Sequence, residues 1–451
     1  MTPTMSSSAH SALLTDLYQL TMMQAYVREG MNDTAVFTLF VRRLPARRNY
    51  LLACGLDDVL DFLETVRFTA DDLEYLRSLP HFAPEFIEQL RDFRFSGDVY
   101  ALPEGTPVFG DEPILEVVAP LPQAQLVETL ILNQVHLQTM LASKAARVVA
   151  AAGGRPVVDF GLRRMHGTDA GVKAARAFHI AGVTATSNVL AGRMFGIPVS
   201  GTMGHSYIQA HSGELEAFRA FVQLYPDATL LVDTYGTLAG VDNVIRLAQE
   251  LGDDFRARAI RLDSGDLAVL AHAARRRLDD NGLTDVRIVA SGGLDEHSVR
   301  ALVDAGAPID GFGVGTAMGV SQDEPSLDMV YKLAEYAGRG RVKTSPGKPV
   351  LPGRKQVFRI ERAGIVVEDV IARHDEEPSG TPLLRPVMNA GARVEAARET
   401  IDAARERAAR ETARLPAELR GLDRPARPFP VRVSGPLGRH HTAVIEAGVN
   451  A

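Results

Sequence analysis

The feature that most constrains the fold is a unit repeated from about residue 155 to about residue 316: an apolar run, a polar or glycine turn, and a helical stretch. The apolar runs span residues 156–160, 180–184, 197–200, 229–232, 257–262, 286–290 and 309–314. Short runs of Val, Ile, Leu and Ala separated by helical segments predict parallel strands that are buried on both faces. This part of the chain is therefore predicted to be an α/β domain.

The number of units bears on whether the parallel sheet is open or closed. Seven or so units, with no dinucleotide-binding glycine fingerprint after the first run, favour a closed or nearly closed barrel. An open, doubly wound sheet is the alternative that the pattern leaves open.

The regions that flank the repeated units have a different pattern. Glycine- and proline-punctuated β segments precede the units, and the chain after residue 330 is again β and loop. We therefore predict an irregular, TIM-like α/β barrel over residues 123–330 and a smaller β-rich α+β domain. Residues 1–122 are expected to form this smaller domain, and the C-terminal segment, residues 331–451, is expected to pack with it in part.

One C-terminal stretch, residues 393–414, is rich in Ala, Arg and Glu with mixed charge. Such a composition is typical of a solvated surface helix, which here should end before Pro416. The charge pattern alone indicates no function for it.

The composition excludes several classes of protein. Cys54 is the only cysteine, so a disulfide framework and a multi-cysteine metal site are both excluded. A formal net charge of −7 argues against broad electrostatic binding to nucleic acid. No apolar stretch is long enough to span a bilayer, and the Ser/Thr-rich start, residues 1–12, lacks the pattern of a secretory signal. We therefore expect a cytoplasmic protein with no nucleic-acid or membrane partner.

Polar side chains follow most of the predicted strands. In a parallel α/β barrel the carboxyl ends of the strands meet on one rim, where active sites lie. The side chains at these ends are Arg163, Arg164, Thr186, Ser187, Asn188, Thr202, His205, Asp233, Thr234, Tyr235, Arg261, Asp263, Ser264 and Asp266. Their expected convergence predicts an enzyme.

The last two predicted strands end in glycines, in the segments SGG (291–293) and GFGVGT (311–316). Glycines let backbone N–H groups approach a phosphate, and the late strands of barrels commonly bind one. The alternative interpretation is that these glycines only form tight turns.

The segment RLDSGD (261–266) brings a guanidinium and carboxylates close together in the sequence. Strand alternation points Arg261 and Asp263 to the same side, so a simple ion pair is one interpretation. The other is that Arg261 faces an anionic substrate while Asp263 holds ribose hydroxyls or a hydrated Mg²⁺. The chain contains neither a His-Glu-x-x-His motif nor a Walker-type loop, which disfavours a zinc hydrolase and a common nucleotide-binding fold.

Seven segments, taken in order, resemble the signatures of one enzyme family. They are TDLYQLTM (15–22), FVRRLP (40–45), DFGLRR (159–164), TSNVLAG (186–192), IPVSGTMGHSYIQ (197–209), RLDSGD (261–266) and YKL (331–333). The family is nicotinate phosphoribosyltransferase, a type II phosphoribosyltransferase of NAD salvage. The resemblance implies a β-rich N-terminal domain, an irregular α/β barrel, and a homodimer whose active sites use residues of both subunits.

The resemblance also implies roles for individual residues. His205, Arg261 and Asp263 are expected to be catalytic, with His205 as the residue that ATP phosphorylates. The expected nicotinate contacts are Tyr18 (reaching in from the partner subunit), Phe160 (stacking on the pyridine ring), Arg163, Ser187, Thr202 and Arg261. The expected phosphoribosyl contacts are Asp263, Gly293, Gly313, Gly315 and Thr316.

The implied reaction forms nicotinate mononucleotide and pyrophosphate from nicotinate and 5-phosphoribosyl 1-pyrophosphate. ATP is the expected co-substrate and Mg²⁺ the expected cofactor, without direct ligation by protein side chains. Ser187 stands where relatives that use nicotinamide have an aspartate, and a hydroxyl there does not repel the nicotinate carboxylate. The alternatives are a nicotinamide phosphoribosyltransferase, a non-catalytic ligand-binding paralogue, and an unrelated barrel lyase with a Schiff-base lysine.

Overall fold

The structure is a computed structural model that describes residues 11–343 and 350–449. Most of the Ser/Thr-rich start discussed above, residues 1–10, lies outside the described residues. The chain divides into two compact units, one formed by residues 1–143 and 326–451 and the other by residues 144–325. No helix among the described residues combines the length and the apolar character needed to cross a membrane.

The first unit contains a seven-stranded antiparallel sheet that joins the two ends of the chain. In spatial order its strands are Arg339–Gly340, Met329–Tyr336, Thr34–Val41, Pro113–Pro120, Asp98–Ala101, Arg385–Asn389 and Ala392–Arg393. The interior strand Thr34–Val41 (TAVFTLFV) is buried at every position after Thr34. Its Phe37 ring stacks on Tyr331 at 4.9 Å, so residues from both ends of the chain share one core.

Two smaller sheets and a set of helices complete this unit. A four-stranded sheet has the order Thr381–Pro382, Lys355–Arg362, Ile365–Arg373 and Val431–Val433, and Leu51–Leu52 pairs with Pro107–Val108. The helices are Leu17–Arg28, Leu56–Thr65, Ala70–Ser78, Pro84–Leu90, Leu121–Leu126, Ile401–Ala413, Ala417–Arg420 and Gly435–Val449, with a 3₁₀ turn at Glu395–Ala397. The β-rich unit is the larger of the two units. The sequence predicted that it would be the smaller one.

The helix Glu128–Ala151 crosses the boundary between the units, and it explains where that boundary falls. Its first part binds the N-terminal strands: the Ser143 hydroxyl accepts from the backbone N–H of Leu52 at 2.9 Å, and the Thr139 hydroxyl accepts from that of Cys54 at 3.2 Å. Contacts thus place the boundary after residue 143, where the sequence predicted it after residue 122.

The second unit contains six parallel strands. Their spatial order is Ala185–Thr186, Val157–Asp159, Gly311–Val314, Arg287–Ala290, Ala259–Leu262 and Thr229–Leu231. Its helices are Thr168–Ile180, Val189–Phe195, His205–Gln209, Glu214–Leu224, Thr237–Leu251, Leu267–Asp280, Glu296–Asp304 and Thr316–Gly319, with 3₁₀ turns at Leu162–Arg164 and Gly252–Asp254. The spatial order follows the chain order around a ring, which differs from the order of a doubly wound sheet.

The predicted closed barrel is not confirmed, and the sheet is a curled parallel half-barrel. Val199 forms only an isolated bridge to Thr186, and within the described part of the chain no pairing joins it to Thr229–Leu231. Pro198 lies beside this bridge and has no N–H group to donate to a neighbouring strand. The third predicted strand therefore does not extend the sheet far enough to close it.

Two predicted elements have different bounds in the structure. The predicted strand at 180–184 is instead the end of the helix Thr168–Ile180 and a turn through Gly182, whose φ is +110°. The helix predicted at 393–414 begins only at Ile401, where the Thr400 hydroxyl accepts from the backbone N–H of Ala403 at 3.2 Å. Ala404 and Ala408 are buried, so one face of this helix packs against the protein.

Candidate active site

The ring of Phe160, just after the strand Val157–Asp159, packs against the backbone of Gly313. A Cβ atom built on Gly313 would lie 2.4 Å from Cε2 and 2.5 Å from Cδ2 of that ring. The backbone N–H of Phe160 donates to the carbonyl of Val314 at 2.9 Å, which fixes the two strands beside each other. Glycine is therefore needed at position 313 because the half-buried ring occupies the space of a side chain.

The guanidinium of Arg261 lies over this ring. Its Cζ atom is 5.9 Å from the ring centroid, within the range of a cation–π contact. Nη2 donates to the carbonyl of Met203 at 3.4 Å, while the buried Nε has no hydrogen-bond partner among the described residues. Burial lowers the pKa of Arg261, although Asp263 and Asp233 partly oppose that effect. Arg261 thus presents a largely desolvated positive charge next to an aromatic face.

Asp263 is held from two sides and faces the imidazole of His205. The Ser291 hydroxyl donates to Oδ1 of Asp263 at 2.5 Å, and the backbone N–H of Asp263 donates to Oδ2 of Asp233 at 3.1 Å. Oδ2 of Asp263 lies 3.7 Å from Nε2 of His205. On the other side of the imidazole, Nδ1 lies 3.1 Å from the Thr234 hydroxyl.

Glycine conformations shape the loop that supports Asp263. Gly292 has φ +93°, and a Cβ there would lie 1.8 Å from the carbonyl oxygen of Asp263. Gly293 has φ +68° with no atom within 4 Å of its Cβ position. A Cβ built on Gly315 would lie 3.2 Å from the Phe160 carbonyl oxygen, and Gly315 precedes the short helix that begins at Thr316. Gly292 is therefore needed for packing, whereas Gly293 borders open space.

Asp159 is a site-supporting residue that the sequence reasoning missed. It is fully buried; its Oδ1 accepts from the backbone N–H of Gly161 at 2.8 Å and its Oδ2 from the Thr186 hydroxyl at 2.7 Å. Its carbonyl accepts from the backbone N–H of Ser187 at 2.8 Å. Burial raises the pKa of Asp159, while the hydrogen bonds from Gly161 and Thr186 oppose that effect.

Asp233, Thr234 and Ser291 also support the site, through the contacts described above. The sequence placed them at strand ends without assigning them roles. The available signal was their position: each lies one to three residues beyond a parallel strand, on the same edge as Arg261 and Asp263. For Asp159, the signal was its place at the start of the DFGLRR segment.

Not every predicted site residue contacts this cluster. The Thr202 hydroxyl donates to the same Met203 carbonyl as Arg261, at 3.1 Å. Arg163 is exposed on the turn Leu162–Arg164, and its charge lowers the pKa of Arg261. Tyr18 lies in the other unit, on the helix Leu17–Arg28, and is 48% exposed. Partial burial and nearby carboxylates raise the pKa of Tyr18 to about 12.

The same edge of the sheet carries few side chains that could bind a metal ion. No group of three or more His, Cys, Asp or Glu side chains able to hold a metal ion occurs in residues 11–343 or 350–449. The Asp233 carboxylate accepts from the backbone N–H of Asp263, which brings two acidic residues together, and Oδ1 of Asp233 is buried without a hydrogen-bond partner in the described residues. Mg²⁺ commonly keeps several waters and binds through one or two carboxylates together with substrate phosphates, so these residues fit such an ion.

The fold and the cluster together define a class of protein. A parallel α/β unit whose strand ends collect an aromatic ring, a buried guanidinium, carboxylates and an imidazole is typical of an enzyme acting on a small anionic substrate.

Comparison with known proteins identifies the family within this class. Residues 13–136 match the profile of the nicotinate phosphoribosyltransferase (NAPRTase) N-terminal domain, and residues 156–358 match that of the NAPRTase family. Nicotinate phosphoribosyltransferase pncB2 of Mycobacterium tuberculosis (strain H37Rv) is 54% identical over 97% of this chain and 95% of its own length. The Bacillus subtilis nicotinate phosphoribosyltransferase is 44% identical over 83% of this chain and 78% of its own length.

A solved structure supports the same assignment. The crystal structure of human nicotinic acid phosphoribosyltransferase is similar with a TM-score of 0.83 and 30% identity, covering 96% of this chain and 99% of the human one. The chain therefore belongs to the nicotinate phosphoribosyltransferase family.

Proposed function

We propose that the enzyme transfers the phosphoribosyl group of 5-phosphoribosyl 1-pyrophosphate to the ring nitrogen of nicotinate. The products are nicotinate mononucleotide and pyrophosphate. The names of the relatives support this reaction. The main structural support is the position of the Arg261 guanidinium, 5.9 Å from the centre of the Phe160 ring. Nicotinate is a flat aromatic ring bearing a carboxylate, so an aromatic face next to a guanidinium matches both of its parts.

Phe160 and Arg261 account for substrate binding in this proposal. The pyridine ring stacks on Phe160, and the carboxylate accepts hydrogen bonds from Arg261, whose buried Nε lacks another partner among the described residues. Thr202 and Arg163 are proposed to assist at the edge of this site. Ser187, held beside Asp159, offers a hydroxyl where a carboxylate would repel the acid. Nicotinate is thus favoured over nicotinamide.

The transfer step needs charge stabilisation but no general base. The lone pair of the pyridine nitrogen forms a bond to C1 of the ribose, and the bond from C1 to the pyrophosphate oxygen breaks with its electron pair leaving on that oxygen. The attacking nitrogen carries no proton to remove. Asp263 is placed to bind the ribose, where positive charge develops, and is held there by Ser291 and by Asp233.

The phosphoribosyl phosphate is proposed to bind at the loops that contain Gly293, Gly313, Gly315 and Thr316. Gly293 supports this best, since its left-handed backbone borders open space. Gly313 contributes less directly, because the Phe160 ring covers it.

His205 is proposed to accept a phosphoryl group from ATP. If Nδ1–H donates to the Thr234 hydroxyl, the lone pair of Nε2 is available to attack the γ-phosphorus of ATP, and ADP leaves. A phosphoryl group on Nε2 would lie beside the Asp263 carboxylate, which is 3.7 Å from that nitrogen. When bound, Mg²⁺ neutralises such neighbouring negative charges and those of pyrophosphate. Hydrolysis of phosphorylated His205 then favours product formation.

We further propose that the enzyme is a cytoplasmic homodimer with shared active sites. Tyr18 supports this part of the proposal because it is half exposed on the surface of the β-rich unit. In the proposed dimer it reaches the nicotinate site of the partner subunit, and its raised pKa of about 12 keeps the hydroxyl protonated even in alkaline solution.

Pyrophosphate release, measured with purified enzyme and 5-phosphoribosyl 1-pyrophosphate, tests the proposed reaction. Release should require nicotinate, be much slower with nicotinamide, and increase when ATP and Mg²⁺ are added. Faster turnover with nicotinamide would instead identify the amide as the substrate. Calorimetric binding of nicotinate without any pyrophosphate release would identify a non-catalytic paralogue.

A further inference from the structure

A cavity rich in arginine lies within the β-rich unit. It has a volume of about 90 Å³, against about 30 Å³ per molecule in liquid water, so it has room for a compact ion. Strand Lys355–Arg362, strand Thr381–Pro382 and helix Ile401–Ala413 contribute to its walls. Five of its twelve lining residues are arginines: Arg359, Arg385, Arg407, Arg410 and Arg414. Only Glu361 and Glu411 line it with carboxylates.

Arg359 supplies a buried donor that the protein does not satisfy. Its side chain is 2% exposed, and its Nε and Nη2 bind Asp369, with Nη2 2.6 Å from Oδ2. Nη2 also donates to the Pro107 carbonyl at 2.9 Å. Nη1, by contrast, is buried with no hydrogen-bond partner among the described residues. Arg359 lines the cavity, so an anion bound there would lie next to a guanidinium that has one unsatisfied donor.

Two buried acidic side chains, Glu112 and Asp369, lie close to Arg359. Glu112 is fully buried near Arg359 and Asp369, and burial together with Asp369 raises its pKa well above the usual range. Asp369 forms the ion pair with Arg359, so one carboxylate already balances this guanidinium.

Two further arginines are held in fixed positions at the cavity. Nη1 of Arg407 donates to the Glu104 carbonyl at 2.8 Å, and its Nη2 pairs with Glu399. Arg414 pairs with Glu361 through Nη2. Such anchoring reduces the conformational entropy that these side chains would lose on binding a ligand.

The last two arginines leave positive charge unbalanced. Glu411 is shared, since it lies 3.1 Å from Nε of Arg410 and 3.4 Å from Nη1 of Arg414. Arg385 is exposed and forms no ion pair with the described residues. The five guanidinium groups are therefore paired with four carboxylates, which leaves one excess positive charge, that of Arg385, and one unsatisfied buried donor.

We propose that this cavity is a binding site for a phosphate-type oxyanion. Planar guanidinium groups match phosphate oxygens, and several of them around one small cavity favour a tetrahedral dianion over chloride. The source of the anion is either free inorganic phosphate or the phosphate of a nucleotide. The proposal goes beyond the phosphoribosyl transfer and does not depend on it, because every residue involved lies in the β-rich unit.

Titration calorimetry in a phosphate-free buffer at constant ionic strength tests the site. The full-length enzyme is titrated with inorganic phosphate and, separately, with ATP. The variant Arg385→Ser/Arg410→Ser removes two exposed cavity arginines while leaving the buried Arg359–Asp369 pair intact. The matched control Arg339→Ser/Arg362→Ser removes two exposed arginines of the same unit that do not line the cavity. Thermal unfolding shows that both variants are folded.

The expected result is a phosphate-binding event that the cavity variant weakens at least about tenfold and the control variant leaves unchanged. An equal loss for ATP assigns the site to a nucleotide phosphate, and a loss for phosphate alone assigns it to the free anion. Identical isotherms for all three proteins, or equal weakening in both variants, would overturn the proposal.

Crystals soaked in tungstate, a heavy phosphate analogue, give an independent measurement. The anomalous signal should lie within the cavity, next to the guanidinium groups of Arg359, Arg385 and Arg410, and be absent in the cavity variant. A soaked crystal without that signal would contradict the proposal. Pyrophosphate release assayed without added phosphate should match wild type in both variants, so failure of this site is distinguishable from failure of the proposed reaction.

Discussion

Gly313→Ala is the substitution that most sharply separates substrate positioning from phosphate binding. The new Cβ would lie 2.4 Å and 2.5 Å from two ring carbons of Phe160, whereas carbon atoms in contact lie about 3.5–4.0 Å apart. The ring must therefore move by roughly 1 Å. Gly313 is not in the left-handed region, so alanine adds no backbone strain there. The effect on activity then comes from the displaced ring.

The magnitude follows from what the Phe160 ring supports. An aromatic pair contributes about 0.5–1.5 kcal/mol and a cation–π contact about 0.5–2 kcal/mol. Losing about 1.4 kcal/mol lowers kcat/KM for nicotinate about tenfold. The KM for 5-phosphoribosyl 1-pyrophosphate should stay within about twofold, because the backbone of the glycine loops is unchanged. Half-buried Phe160 has room to move outward, so the free energy of unfolding should fall by less than the ~1–3 kcal/mol typical of overpacked cores.

Steady-state pyrophosphate release with each substrate varied in turn measures both parameters. Gly201→Ala is the matched control, since Gly201 also lacks a positive φ and has no atom within 4 Å of its Cβ position. In the Gly313→Ala background, Phe160→Leu should cost less than it does in wild type, because the smaller side chain relieves the clash. Unchanged nicotinate kinetics, or a rise confined to the KM for 5-phosphoribosyl 1-pyrophosphate, would refute this reasoning.

Three further predictions concern neighbouring residues. Gly292→Ala puts a Cβ 1.8 Å from the Asp263 carbonyl oxygen at φ +93°, so its free energy of unfolding, measured by urea denaturation, should fall by more than about 2 kcal/mol. Gly293→Ala adds a Cβ in open space and should lower it by only about 1 kcal/mol. Equal losses in the two variants would contradict this. His205→Ala should abolish ³²P incorporation from γ-labelled ATP and the stimulation by ATP, leaving weak transfer; undiminished ATP coupling rejects the assignment. Because the folded-state pKa of Asp159 is raised, the free energy of unfolding should decrease as pH rises from about 3.9 through that pKa. Asp159→Asn should lack this decrease, and parallel denaturation curves for the two proteins would count against it.

Local pattern accounts for the part of the site that the sequence could predict. Apolar runs that end in polar residues place Arg261 and Asp263 on the same edge as His205. The structure puts Arg261 over the Phe160 ring and Asp263 next to His205. The reason is general: the carboxyl ends of parallel strands share one edge of a sheet.

What the sequence could not predict depends on contacts between distant segments. A glycine pattern does not distinguish a phosphate-binding loop from a backbone segment against which an aromatic ring packs. Only the position of the Phe160 ring shows that Gly313 is such a packing site. Likewise, the strand Arg385–Asn389 pairs with Asp98–Ala101 far away in the chain, which makes the β-rich unit the larger one. The mixed charge of the helix Ile401–Ala413 gave no sign that its arginines would line a cavity with the buried Arg359.

The most direct measurement compares nicotinate with nicotinamide in Arg261→Gln. If Arg261 binds the carboxylate, the variant loses a charge-assisted interaction of about 1.5–3 kcal/mol that only the acid can make. The ratio of kcat/KM for nicotinate to that for nicotinamide should therefore fall by about 10- to 150-fold. General damage to the site would lower both rates and leave the ratio unchanged, and an unchanged ratio would contradict the placement of nicotinate between Phe160 and Arg261.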